Sequence, residues 1–270
     1  LVHRRDQILR GYDKDIVSVV QKKMQKDGVE LILNSTISKL ERQDSRLKVS
    51  LNSQEKGNFD LDVDKVLVAV GVYPNSQTLG LENIKVDVNE EGFIVVDKSL
   101  RTSVQNIFAI GDVATEPMLA HKATREGKIA AEVIAGHKKE FSNVVVPSVI
   151  FSDPEIAIAG LTETQAAEKG YEINIGKFPF SALGRAFIEN ETEGFVKIIE
   201  DKSTGKILGV VIVGPEASNL ISEAALAVEN GLKTEDMMNT IHPHPTLGES
   251  LMEAAEAVKK SAIHIINLRL

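Results

Sequence analysis

The chain has 270 residues, 43% hydrophobic and 26% charged, with a formal net charge of −8. That length predicts roughly two domains, and the acidic balance excludes broad phosphate neutralisation of a nucleic acid and a polybasic membrane anchor. No apolar run approaches the ~20 residues that span a bilayer, and the opening Leu1-Val2-His3-Arg4-Arg5, with no apolar stretch behind it, is not expected to act as a signal peptide.

In chain order, Leu1-Val2 reads as a strand remnant, and with no Met at position 1 an upstream portion is expected. Asp13 to Lys26 predicts an amphipathic helix through Ile16, Val17, Val20 and Met24. Val29 to Leu33 follows as a strand, so the order is strand, helix, strand, the grammar of a parallel sheet. Short alternating segments between Thr36 and Leu61 predict an antiparallel meander. Lys65 to Val70 predicts the next core strand, ending at Gly71. Turn-rich residues 72–92 lead to strands at Phe93–Asp97 and Asn106–Ile110, then a helix from Ala120 to Ala135 stopped by Gly136.

Near Val144 the pattern changes to serial strands at 149–151, 156–159, 172–178, 195–200 and 207–213. A helix at 163–169 opens on a Thr162-x-x-Gln165 capping box. Helices at 217–230, 234–239 and 247–260 close the chain, and their segregation to one side of the strands predicts an α+β domain.

The segment His242-Pro243-His244-Pro245-Thr246-Leu247-Gly248-Glu249 carries the strongest chemical signal. Pro245 fixes φ at a helix entry and Thr246 can cap it, leaving His244 outside the helix and within reach of Glu249. A His held by a carboxylate is an oriented base near neutral pH. The same spacing is also a capping box, in which Glu249 bonds back to the Thr246 N–H, and the residues alone leave both readings open. A second signal is Ile107 to Asp112, a buried strand ending in Gly111-Asp112, where a carboxylate can accept a sugar-type hydroxyl; by itself it is as readily a turn. Cysteine is absent, so these residues supply no disulfide and no thiol chemistry, and a cytoplasmic setting is the expectation.

The His-x-His-Pro-Thr-x-x-Glu segment resembles the catalytic motif of FAD-dependent pyridine nucleotide-disulfide oxidoreductases, above all the dihydrolipoamide dehydrogenases. The resemblance implies that His244 is the acid–base for a substrate dithiol and Glu249 its orienter, with His242 structural; that family usually has Ser where Gly248 stands. Gly111-Asp112 with Met118-Leu119-Ala120-His121-Lys122-Ala123 is similar to the second FAD motif. It implies Asp112 on the ribityl chain and Met118, Leu119, Ala120 and His121 against the flavin, where a helix N-terminus favours negative charge on the ring. His121 also reads as a plain helix-start residue.

Val68 to Asn75 resembles the segment closing the nicotinamide domain, with Gly71 at the cofactor and Val72 in place of the usual Arg. Near Val2 and His3 there is no carboxylate for a ribose 2′-OH, whereas Arg4, Arg5 and Arg10 supply guanidiniums suited to a 2′-phosphate. NADP is therefore expected over NAD, against the alternative of a solvated basic surface.

Across the chain the resemblance implies nucleotide-binding α/β portions, a parallel sheet with an antiparallel meander, followed by an α+β dimerisation domain. Residues 1–72 would belong to a nicotinamide-nucleotide domain, 73–143 to an FAD domain and 144–270 to the dimerisation domain. A homodimer with FAD, NADP or NAD and a lipoamide-type dithiol or disulfide follows, and a 2-oxo-acid dehydrogenase complex is a candidate partner. The paired cysteines and both Gly-x-Gly-x-x-Gly loops do not occur in this chain, so by itself it is expected to be inactive. Two alternatives stand beside this reading: an NADPH-dependent glutathione-type disulfide reductase, and a non-catalytic dimerisation or flavin-binding module.

Overall fold

The computed structural model describes residues 1–267. They form two compact units, one of residues 1–67 with the described residues from 147 onward and one of residues 68–146.

The first unit contains three strands of a meander, β1 (Ser35–Gln43), β2 (Arg46–Ser53) and β3 (Gly57–Val63), all antiparallel in the order β1-β2-β3. Val49 and Leu51 of β2 are buried with Ile32, against Phe59 and Leu61 of β3. One face is thus apolar and the other wet, as the alternation of the sequence requires.

The same unit carries a five-stranded antiparallel sheet of order β4-β5-β8-β7-β6, from β4 (Ser148–Ile150), β5 (Glu155–Gly160), β6 (Ile173–Pro179), β7 (Phe195–Asp201) and β8 (Ile207–Gly214). Residues 195–201 are buried without interruption, so both faces of β7 need cover. On one face lie α5 (Ala217–Glu229), against β5 and β8, and α7 (Glu249–Val258), against β6 and β7. The backbone of α7 rests directly on Gly176 of β6: a Cβ there would fall 2.1 Å from the Ala254 carbonyl oxygen. The other face meets Ile16, Val17 and Val20 of the amino-terminal helix α1 (Lys14–Lys26), which pack with Ile158, Phe195, Ile199, Val211 and Val213. The carboxy-terminal helices α5 and α7 thus share one face, as expected, and the second face is covered from outside that stretch of chain. A sheet whose central strands are apolar on both faces recruits α1 from the other end of the chain. Two short helices, α3 (Glu163–Glu168) and α4 (Gly184–Glu189), and α6 (Thr234–Asn239) complete the unit. The Thr162–Gln165 capping box of α3 is formed in both directions, whereas α4 was not legible in the sequence.

The expected parallel sheet is also corrected. Its trace is one parallel bridge, Val2 with Ile32, in which Leu1 O accepts from Ile32 N at 2.8 Å and His3 N donates to Ile32 O at 2.9 Å. Lys65 to Val70, expected as a core strand, joins no ladder, and Leu67 and Val70 are 93% and 91% exposed. An apolar run states what a segment would bury, but a ladder needs a hydrogen-bonding neighbour, and none pairs with this run among the described residues.

In the second unit, α2 (Ala120–Ile134) sets Ile129, Ala130 and Val133 against Leu100. The strands expected at 93–97 and 106–110 are reduced to single bridges, Val88 with Ile94 and Arg101 with Phe108. A short 3-10 turn, Gly111–Val113, packs on α2. No described helix is long and apolar enough to cross a membrane.

Candidate active site

His244 lies in the connection between α6 and α7, and Glu249 is the first residue of α7. Glu249 Oε1 meets His244 Nδ1 at 2.9 Å, while its Oε2 accepts the Thr246 N–H at 2.8 Å. The two readings left open by the sequence are thus both realised, one on each oxygen. Thr246 itself does not cap α7: its hydroxyl donates to the Pro243 carbonyl at 2.7 Å, and the N-cap position falls at Gly248. The Thr246 N–H, which could close that turn, is taken by Glu249, so the hydroxyl satisfies the Pro243 carbonyl instead.

Burial pushes the Glu249 carboxyl up, but the Thr246 N–H and the His244 imidazole outweigh it and hold the group below the usual carboxylate range. An ionised carboxylate can only accept, so His244 Nδ1 carries the hydrogen, and in the neutral ring the lone pair then falls on Nε2. The imidazole is 77% exposed and Glu249 is largely covered. An oriented ring is therefore offered outward from a fixed base. His242 differs: its side chain is buried, with Nδ1 on the Thr240 carbonyl and Nε2 on Glu223 of α5, both at 2.9 Å. Those contacts tie the connection to α5. A third pair, His264 with the buried Glu253, went unread in the sequence because the two lie eleven positions apart.

In the other unit, Asp112 is exposed at the turn after Ile110 and makes no hydrogen bond among the described residues. Met118 and Leu119 lead into α2, whose N-cap Leu119 offers no side-chain bond and whose first turn, Ala120, His121 and Lys122, contains no acid. Without a side-chain cap from Leu119 or an acid in its first turn, that end is positive, and with the exposed Asp112 it fits a cofactor with hydroxyls and a ring able to carry negative charge. The sequence missed a buried ion pair beneath this turn, Lys122 with Glu126 at 2.9 Å. Its i,i+4 spacing is visible in the sequence, but its burial is not.

Gly71 is exposed at φ +124° and a Cβ there would meet nothing within 4 Å, so its glycine answers to backbone conformation, not to a neighbour in this chain. Arg4, Arg5 and Arg10 are exposed around a bent segment, with Arg5 tied by its carbonyl to Asn34 N at 2.9 Å. Asp13, Asp15 and Glu163 converge, but Lys197 Nζ, with its side chain 1% exposed, lies 2.7 Å from Asp15 and is also bonded to Glu163. An internal cation already balances that cluster.

Two family models match the chain: the pyridine nucleotide-disulphide oxidoreductase model over residues 1–127 and the dimerisation domain of the same family over residues 146–255. Dihydrolipoyl dehydrogenase of Geobacillus stearothermophilus is 46% identical over 260 residues, 96% of this chain and 55% of that one. That of Bacillus subtilis is also 46% identical, over 97% of this chain and 56% of its own. Among solved structures, LpdA from Mycobacterium tuberculosis aligns with TM-score 0.86 at 28% identity over 94% of this chain and 55% of that one. The HOCl-induced flavoprotein disulfide reductase RclA from Escherichia coli gives 0.84 at 30%, over 93% and 57%. The chain thus spans a little over half the length of the relatives it matches.

Proposed function

The chain belongs to the pyridine nucleotide-disulphide oxidoreductase family, and from that premise we propose that it forms part of a dihydrolipoamide dehydrogenase-like flavoenzyme. Its three portions are then nicotinamide-binding (1–72), FAD-binding (73–143) and dimerising (144–270), in a cytoplasmic homodimer. A 2-oxo-acid dehydrogenase complex is the setting such an activity would serve. The observation that carries the reading is His244, held through Nδ1 by Glu249 and exposed.

In this reading His244 Nε2 takes the proton of a substrate thiol, because the thiolate is the nucleophile toward a disulfide. The proton returns when the sulfur leaves. The disulfide is a cysteine pair from outside this chain, which has no cysteine, and His244 serves it across a subunit boundary. Glu249 keeps the ring in one tautomer and stabilises its protonated form. Asp112 would hold the ribityl chain of FAD, with Met118 to His121 beside the ring; a flavin bound there supplies two-electron transfer between dithiol and nicotinamide. Gly71 lines the nicotinamide portion, and Arg4, Arg5 and Arg10 favour NADP over NAD.

The test is His244→Gln in the complete protein, assayed with a lipoamide-type dithiol. A fall in kcat of about 10²–10⁴ is expected with flavin content unchanged, and a smaller fall for Glu249→Gln. Unaltered turnover would end the acid–base assignment. The arginines keep a glutathione-type NADPH reductase in view, which comparison of NADH with NADPH, and of lipoamide with glutathione, separates. The missing cysteines keep a non-catalytic dimerising or flavin-binding module in view, for which no disulfide turnover would be found in the complete protein.

A further inference from the structure

Lys122 and Glu126 are spaced as an ordinary solvent-exposed helix pair, yet their side chains are 3% and 2% exposed. Lys122 Nζ donates to Glu126 Oε1 at 2.9 Å, to the Thr115 carbonyl at 3.0 Å and to Thr115 Oγ1 at 2.5 Å. Its three protons are fully used. Glu126 turns its other oxygen to the backbone, accepting the Gly111 N–H at 2.7 Å. Gly111 has φ +70°, and a Cβ on it would lie 2.9 Å from Ala123 Cβ, so the turn is pressed onto α2 as well as bonded to it.

Stability alone does not account for such a pair. Desolvating two charges costs about as much as their attraction returns, and apolar replacements of buried pairs are often neutral or better. What the pair does provide is a fixed backbone at the residue immediately before Asp112, whose own carboxylate has no partner among the described residues. We propose that Glu126 is a positioning residue for the cofactor site. Through the Gly111 N–H it fixes the turn that presents Asp112 to a polyhydroxyl ligand, and Lys122 is the counter-charge that allows a carboxylate to be buried there. This rests on the reading of Asp112 as a flavin ligand.

The experiment compares two double variants in the complete protein. Lys122→Met with Glu126→Leu removes both charges and the acceptor for Gly111. Lys122→Met with Glu126→Gln removes the charges but keeps an amide oxygen for that N–H. Thermal melting, amide hydrogen exchange at 111–113 and the dissociation constant for added FAD are read in each. The leucine pair is expected to fold and to melt below the parent, from the Gly111 N–H left without an acceptor, while exchanging faster at 111–113 and binding FAD about tenfold more weakly. The glutamine pair is expected to return exchange and affinity to within about threefold of the parent. Parent-like exchange or FAD affinity in the leucine pair, or no recovery in the glutamine pair, overturns the proposal. If the leucine pair does not fold, Lys122→Met with Glu126→Ala withdraws the acceptor in its place. Asp112→Ala separates the two claims: parent-like FAD binding there ends the reading of Asp112, while the exchange arm still decides whether Glu126 fixes the turn.

Discussion

Gly248 shows how little the side chain at that position matters to the pair it precedes. Its φ and ψ are −61° and −28°, ordinary for any residue, and a Cβ would sit 3.6 Å from Thr246 Oγ1, an ordinary contact. The departure from the family's usual Ser therefore leaves His244 and Glu249 undisturbed. Gly248→Ala is expected to raise stability by about 0.4–1 kcal/mol, by restricting the unfolded chain, in denaturant titration. Gly176 is the opposite case. A methyl group there would collide with the backbone of α7 at the Ala254 oxygen and at Val258 N, 2.5 Å away. Gly176→Ala is expected to destabilise by about 1–3 kcal/mol or more and to shift α7, and with it Glu249. A melting temperature at or above the parent's would show that α7 is not seated as described.

At the scale of elements, α1 is joined to the far sheet by apolar packing and by one buried cation. Lys197 on β7 holds Asp15 of α1 and Glu163 of α3, while Lys177 on β6 reaches Asp15 at 2.7 Å. Burial pushes the Asp15 carboxyl up, but Lys177 and Lys197 outweigh it and leave the carboxyl below its ordinary 3.8. A carboxyl lowered by folding adds stability in full above its unfolded value, and that stability drains away as pH falls through the folded value. Acid titration of unfolding should therefore show loss that begins near 3.8 and continues below it. Lys197→Met should shrink that acid-sensitive component to the part Lys177 still supports and cost about 2–4 kcal/mol near neutral pH, below a fully buried case because Asp15 and Glu163 are partly solvated. A Lys197→Met protein of parent stability would mean the cation is incidental.

For the molecule as a whole, the proposed homodimer has a local marker. Ile241, beside His242 and His244, is 95% exposed, at the rim of an apolar hollow of about 350 Å³ lined by Leu226, Ala227 and Met237. Ile241→Asp should move sedimentation toward monomer and lower dithiol turnover without changing the fold; an unchanged dimer would place the subunit contact elsewhere.

The serial strands after Val144, the α5 to α7 order and the His244–Glu249 pair were legible in the sequence, because each rests on local rules: alternation, periodicity, and two residues five positions apart on one helix entry. The sequence by itself also determined which chemistry the chain lacks, since it holds no cysteine. Tertiary structure alone decided what depends on partners distant in sequence. It put α1 on the second face of the sheet, left Lys65 to Val70 unladdered, and buried Lys122 with Glu126 under Gly111. Hydrogen-bond partners and burial are properties of neighbours in space, and no local pattern specifies which segment will supply them.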